Sequence, residues 1–220
     1  MLTVHHLNNS RSQRVIWLLE EVGAPYEVKH YQRDAKTMLA PPELRAVHPL
    51  GKSPVITDGG DTVAETGAIV EYILDKYGQG RLTPPAGTPE KLRFTFWMHF
   101  AEGSAMPPLV MTLLFGEIPK RTPAFVRPIA RMIGKTVQQS YLGPQITAQL
   151  DLLEAELGRS AYFAGAELSG ADIMMSFPVE AAASRIGLGA RPKLTAWLAG
   201  VHARPAYQRA LEKGGTYDYA

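Results

Sequence analysis

The 220-residue chain has no cysteine. Disulfides, thiolate metal sites and any nucleophile made from the protein's own sulfur are excluded. It has little net charge: 23 Lys and Arg against 21 Asp and Glu give +2 with histidine neutral. No block of like charge marks a nucleic-acid tail. Long apolar runs are missing too. The longest, Leu109 to Phe115, falls far short of the roughly 20 residues a helix needs to span a bilayer. Met1-Leu2-Thr3-Val4 runs straight into polar residues, without a basic-then-apolar leader. The expectation is a cytoplasmic protein with no nucleic-acid or membrane partner. His5 and His6 are adjacent on a strand and face opposite sides, and His48, His99 and His202 stand alone, so no metal site is expected. What remains, 45% apolar and 20% charged residues, is the composition of an ordinary globular protein of one or two domains.

Apolar periodicity divides the chain in two. Leu2 to Leu7 reads as a strand and Asn8 to Ser12 as a polar loop. Ser12 to Val22 has helical spacing, with Val15, Leu18, Leu19 and Val22 on one side and Gly23 and Pro25 as stop signals. Tyr26 to Tyr31 is strand-like again, and a short helix is expected around Glu43 to Val47. Pro54 to Thr57 and Thr62 to Ala64 form a hairpin around Asp58-Gly59-Gly60-Asp61. A helix from Thr66 to Tyr77, apolar at Ile69, Val70, Ile73 and Leu74, closes the unit. The order β-α-β-(α)-β-β-α is that of a thioredoxin-like domain, placed at residues 1–80.

The Gly- and Pro-rich stretch that begins at Gly78 runs out in a linker, 81–87. From 88 to 220 the pattern is helical throughout. Thr88 is an N-cap with Pro89 at the first helical position, and Pro107-Pro108 is expected to bend or end that helix. A long helix is expected around Phe125 to Leu157, broken near Gly143-Pro144. Ser169-Gly170-Ala171-Asp172 is a capping box with Asp in place of Glu. Two short helices, near Leu194 to Val201 and Ala206 to Lys213, follow. The fold class is therefore α/β followed by an all-α domain.

Two motifs carry chemistry. Ser53-Pro54-Val55 opens a strand whose edge can present backbone groups to an extended ligand, and Glu65-Thr66 opens a helix whose N–H groups attract a carboxylate. Their spacing suits a small anionic peptide. Each alone is most often structural: a helix start, or for Lys52 a solvated lysine. Arg127, Arg131 and Lys135 recur every four residues, as either a solvated face or an electropositive cleft wall.

Taken in order, Asn9-Ser10-Arg11-Ser12-Gln13-Arg14, His48-Pro49-Leu50-Gly51-Lys52-Ser53-Pro54-Val55, Ala64-Glu65-Thr66-Gly67-Ala68-Ile69 and the Ser169–Asp172 box make nearly the whole chain resemble the glutathione transferase superfamily. The resemblance implies a homodimer that uses glutathione as co-substrate, without a metal or organic cofactor. It implies a small hydrophobic electrophile bound between the domains, where some of Trp97, Phe100, Met106, Met111, Leu113 and Phe115 would lie. Pro54 would be a cis proline that turns the Val55 backbone toward the cysteinyl part of glutathione. Glu65 and Thr66 would hold the γ-glutamyl end, Lys52 the glycyl carboxylate, and Ser10 the sulfur.

Ser10 has a physical case of its own. A free thiol with pKa near 8.5 is only about 3% thiolate at pH 7, and the thiolate is the nucleophile. One charge-assisted hydrogen bond contributes roughly 1.5–3 kcal/mol, about one to two pKa units, and a nearby helix start adds its dipole. Tyrosine-type chemistry does not fit His5-His6-Leu7 at the end of the first strand, and cysteine-type chemistry has no thiol. Asn9 and Ser12 compete with Ser10 for the sulfur, and either serine can be a plain N-cap. The reaction implied is conjugation of the thiolate to carbon. Glutathione-dependent peroxide or disulfide reduction, or a non-catalytic binding protein, are the alternatives.

Overall fold

The computed structural model describes all 220 residues. Strand β1 (Leu2–Leu7) lies between β2 (Tyr26–Tyr31), parallel to it, and β3 (Val55–Asp58), antiparallel; β4 (Asp61–Ala64) completes the order β2-β1-β3-β4. The register is set by burial. Leu2 and Val4 of β1 are wholly buried, and Val4 faces Ile56 across the ladder. Asp58 and Asp61 pair across the two-residue turn Gly59-Gly60, and Gly59 takes a φ of 64° that a side chain would resist. Asp58 is a hub, accepting hydrogen bonds from Tyr72, Lys76 and Tyr77 of the following helix.

Helix α1 (Ser12–Val22) crosses from β1 to β2, and α3 (Thr66–Tyr77) follows β4 on the same side, whereas α2 (Glu43–Val47) seals Leu7 and Tyr31 with Leu44. The expected one-sided apolar stripe of α1 is an understatement. Val15, Ile16, Trp17, Leu18 and Leu19 are all fully buried, because the sheet covers one side of α1 and two helices of the second unit cover the other.

The second unit is entirely helical. Helix α4 (Pro89–Phe100) starts at the Thr88 cap, whose hydroxyl accepts the Lys91 N–H at 3.2 Å. It ends at Phe100, ahead of Pro107-Pro108. The chain passes through a π-helical turn at Ala101–Ala105 into α5 (Met106–Arg121), whose first turn holds both prolines. The expected long helix is likewise two: α6 (Arg127–Val137) and α7 (Gly143–Leu157), joined by a second π-helical turn, Gln138–Leu142. Helix α8 (Gly170–Ile186) is the buried axis, and α9 (Pro192–His202) and α10 (Pro205–Gly214) pack beside it.

Asp172 closes the box at the head of α8. Its carboxylate accepts from the Ser169 N–H and hydroxyl, the Phe163 N–H and the Trp197 indole, at 3.0–3.2 Å. Burial nevertheless pushes its carboxyl up to about 6. Gly170 is one place where the units meet closely: a Cβ there would lie 2.6 Å from Leu74 and 3.3 Å from Val70 of α3. No helix is long and apolar enough to cross a membrane.

Candidate active site

The loop before α1, the segment between α2 and β3, the end of β4, the start of α3 and the first π-helical turn converge on a cavity of about 260 Å³ at the junction of the units. Lys52, Ser53, Pro54, Glu65 and Thr66 line it, with Arg11, His48 and Glu102. A second hollow of about 320 Å³ adjoins it through Arg11, Leu50, Lys52 and Ser53, and adds Arg33 and Arg45. Four cations (Arg11, Arg33, Arg45, Lys52) therefore face two carboxylates (Glu65, Glu102), a surplus of +2 that suits an anionic ligand. Arg127 and Arg131 belong to neither hollow. They line a separate one with Gly116, Pro119 and Lys120, so the electropositive wall is built by other residues than that stripe.

Lys52 and Glu65 are exposed, and Thr66 is 4% exposed at the start of α3. Neither charged side chain is taken into an ion pair within the protein. Glu65 occupies φ 70°, ψ 126°, a region costing a non-glycine residue roughly 1–3 kcal/mol and favoured where function holds it. The Ser53–Pro54 bond is cis. Val55 is not on a sheet edge, as the strand reading expected. It is 1% exposed on an interior strand, paired with His5 on one side and Ala64 on the other. An extended ligand can meet its backbone only at the open end of the strand. Ser53 spends its hydroxyl on β1, donating to the His5 carbonyl at 2.8 Å and accepting the Leu7 N–H at 3.3 Å.

The three candidates for the sulfur have different surroundings. Ser10 is 4% exposed, and its Oγ accepts the Ser12 N–H at 3.2 Å and touches Ser12 Oγ at 2.7 Å. It does the capping, while Arg11 is the residue before α1. Ser12 has no exposed surface. Its hydroxyl meets His6 Nδ1 at 2.9 Å and accepts the Leu7 N–H at 3.3 Å, so it stands behind Ser10 and out of a ligand's reach. Burial pushes the His6 imidazole down to about 4, with His30 adding to the effect. Asn9 has both ends of its amide occupied by Asp218: it donates at 2.6 Å and accepts the Asp218 N–H at 2.9 Å. Of the two hydroxyls, only that of Ser10 reaches the surface, and it has a proton to give when Ser12 is the donor of their 2.7 Å contact.

Arg11, His48 and Glu102 were not singled out for the cleft by sequence reasoning. Arg11 and His48 lie inside the motifs already noted, and the cleft gives them a place. Glu102 has no local signal. It sits in the first π-helical turn and is gripped by Arg11 Nε at 2.9 and 3.0 Å and by the buried Arg14 guanidinium. The two guanidiniums hold its carboxyl below the usual carboxylate range, against burial.

A thioredoxin-like unit docked on an all-helical unit, with a cationic cleft at their junction, is the arrangement of the glutathione transferase fold. The family models concur: the N-terminal domain of glutathione S-transferase matches residues 1–75, and its C-terminal domain matches 118–205. Glutathione S-transferase 3 of Schizosaccharomyces pombe is 38% identical over 97% of this chain and 88% of its own length. Glutathione S-transferase 1 of Saccharomyces cerevisiae is 30% identical over 97% and 95%. A solved glutathione S-transferase from Actinobacillus pleuropneumoniae, 31% identical, superposes with a TM-score of 0.81 over 100% of this chain and 95% of that one. A theta class enzyme from Xanthomonas axonopodis pv. citri, solved with glutathione bound, is 27% identical with a TM-score of 0.74 over 95% and 96%. The chain belongs to the glutathione S-transferase family and is a glutathione transferase.

Proposed function

We propose that the enzyme conjugates glutathione to a small hydrophobic electrophile with Ser10 as the sulfur's hydrogen-bond donor. The reaction is GS⁻ + R–X → GS–R + X⁻: the sulfur lone pair forms the new C–S bond and the leaving group departs with its bonding pair. Thr66 and the free N–H groups at the start of α3 take the γ-glutamyl carboxylate. Glu65 faces the ammonium beside it, Lys52 takes the glycyl carboxylate, and the Val55 backbone aligns the cysteinyl part. The observation that carries this reading is the convergence of Lys52, Glu65 and Thr66 in one cleft beside Ser10's loop.

Proton bookkeeping limits how Ser10 can act. The 2.7 Å contact with Ser12 uses one proton. Ser10 is free to donate to sulfur only when Ser12 is the donor of that pair. Ser12 can give its proton to Ser10 when neutral His6 carries its proton on Nδ1 and donates to Ser12. In that arrangement Ser12 accepts from His6 and from the Leu7 N–H, and donates to Ser10 in place of the Leu7 carbonyl at 3.4 Å.

The same proposal includes a homodimer, glutathione as co-substrate in place of a bound cofactor, and a cytoplasmic site of action. Exposed Phe96, Leu113, Leu114 and Ile118 on α4 and α5 favour self-association, to be checked by sedimentation.

The test is an ultraviolet titration of bound glutathione. In the wild type the thiol pKa lies about one to two units below 8.5, and Ser10→Ala returns it most of the way. A depressed pKa indifferent to Ser10→Ala would reject Ser10. Faster turnover of hydroperoxides or mixed disulfides than of carbon electrophiles would replace conjugation by reduction.

A further inference from the structure

We propose that Asp218 is a positioning residue for thiol activation, acting through Asn9 on the loop that carries Ser10. The inference rests on Ser10 as the sulfur's donor, but the clasp itself is visible in the geometry.

Asn9 has φ 50°, a left-handed conformation that asparagine tolerates better than most residues yet does not prefer. Something must hold it there. Two groups do, from opposite sides. From the first unit, Arg33 braces the loop backbone: its Nε donates to the Asn8 carbonyl at 3.2 Å, its Nη2 to the Asn9 carbonyl at 3.4 Å, and its N–H to Asn8 Oδ1 at 2.9 Å. From the other side, Asp218 engages the Asn9 amide at both ends, at 2.6 and 2.9 Å. This is a two-point pairing between residues 209 apart in sequence, so it fixes orientation as well as distance.

The segment bearing Asp218 follows α10 and is itself anchored to α8. Tyr217 is buried and donates to Glu180 Oε2 at 2.5 Å. The Tyr219 hydroxyl accepts from Arg185 at 3.3 Å, and its ring meets Phe177 edge-on at 5.5 Å. Phe177 also carries the Arg11 guanidinium over its face, 5.2 Å from the ring centre. A closed circuit results: α8 holds Tyr217 and Tyr219, these present Asp218 to Asn9, and Arg11 returns to α8 through Phe177. Ser10 is the residue between the two points of attachment, Asn9 and Arg11.

The consequence concerns chemistry more than binding. Lys52 lies in the loop before β3, Glu65 between β4 and α3, and Thr66 at the start of α3, all outside the circuit. Loosening Asp218 should let Ser10 drift from the sulfur while the peptide stays held.

The experiment uses the full chain with Asp218→Ala, Asp218→Asn, Asn9→Ala and the Asn9→Ala/Asp218→Ala double variant, with Ser10→Ala as reference. Asp218 is exposed, so these substitutions leave the core untouched. Asp218→Ala is expected to raise the pKa of the bound glutathione thiol and lower kcat about tenfold, the low end for a hydrogen bond to a charged group, while KM for glutathione changes less than about twofold. Asp218→Asn keeps an acceptor oxygen for Asn9 and should restore most of the loss. The double variant should be no worse than the poorer single one.

A wild-type thiol pKa in Asp218→Ala, no rescue by Asp218→Asn, or additive single effects would each overturn the proposal. If Ser10→Ala itself leaves the thiol pKa unchanged, the sulfur assignment fails. The clasp is then judged by amide hydrogen exchange of residues 9–12, faster in Asp218→Ala if it exists and unchanged if it does not.

Discussion

Replacing Glu102 should expose how far the two units depend on one another. Arg14, on α1, is 2% exposed; its guanidinium reaches only the Met174 carbonyl of α8 and the Glu102 carboxylate, and its Nε has no partner. Glu102→Ala leaves that charge buried without a counterion. Breaking a buried pair costs about 3–5 kcal/mol, but Glu102 and Arg11 are each about a third exposed, so water can answer part of the loss. We expect about 2–3 kcal/mol, or about 6–10 °C in Tm for a chain of this size. Glu102→Gln keeps an acceptor oxygen and should lose about half as much. The pH dependence supplies the sign. Glu102's folded value is depressed below its ordinary 4.5, so the ion pair stabilises fully above pH 4.5 and is lost as pH falls through the depressed value. The gap between wild type and Glu102→Gln should therefore narrow below pH 4.5. Thermal melts across pH 3–8 read both effects. An Ala variant within about 2 °C of wild type at pH 7, or a gap indifferent to pH, would refute the reasoning.

Two further outcomes follow from the same kind of accounting. Asp172→Asn should cost nearly as much as Asp172→Ala, on the order of 4 kcal/mol, because the carboxylate faces donors on both oxygens and one side of an amide would turn its own N–H toward them. Urea unfolding measures it, and a loss below about 1 kcal/mol would show that the box is dispensable. Glu65→Gly should raise Tm by about 2–4 °C, since relief of roughly 1–3 kcal/mol of backbone strain outweighs glycine's entropy cost of about 0.5–1 kcal/mol. It should also raise KM for glutathione. A lower Tm would mean that the side chain makes a stabilising contact in the free enzyme.

Much of this protein is legible along the chain because its signals are local. The extents of β1, α1, β2, α2 and α3 follow from apolar period, Gly23 and the Gly59-Gly60 turn, and the caps at Thr88 and Ser169–Asp172 are written in four residues each. The break between α6 and α7 shows in Gly143-Pro144. The prolines at 107 and 108 mislead, since a proline in the first turn of a new helix carries no penalty and the π-helical turn before it hides the boundary.

The binding cleft divides along the same line. Lys52, Ser53, Pro54, Glu65 and Thr66 lie on short segments flanking one hairpin, so their spacing already brings them together, and the family resemblance rests on them. The sequence by itself determined the two units, the order of their elements and the grouping of Lys52, Glu65 and Thr66, because each depends on contacts within a few residues or one supersecondary unit. Only the tertiary structure decided how differently the three polar residues Asn9, Ser10 and Ser12 are engaged. Asn9 is occupied by Asp218, Ser12 is buried behind His6, and Glu102 closes the cleft from the helical unit. Those pairings span from 6 to 209 residues, and what places them is the packing of α1 against α8 and α10, which no local pattern encodes.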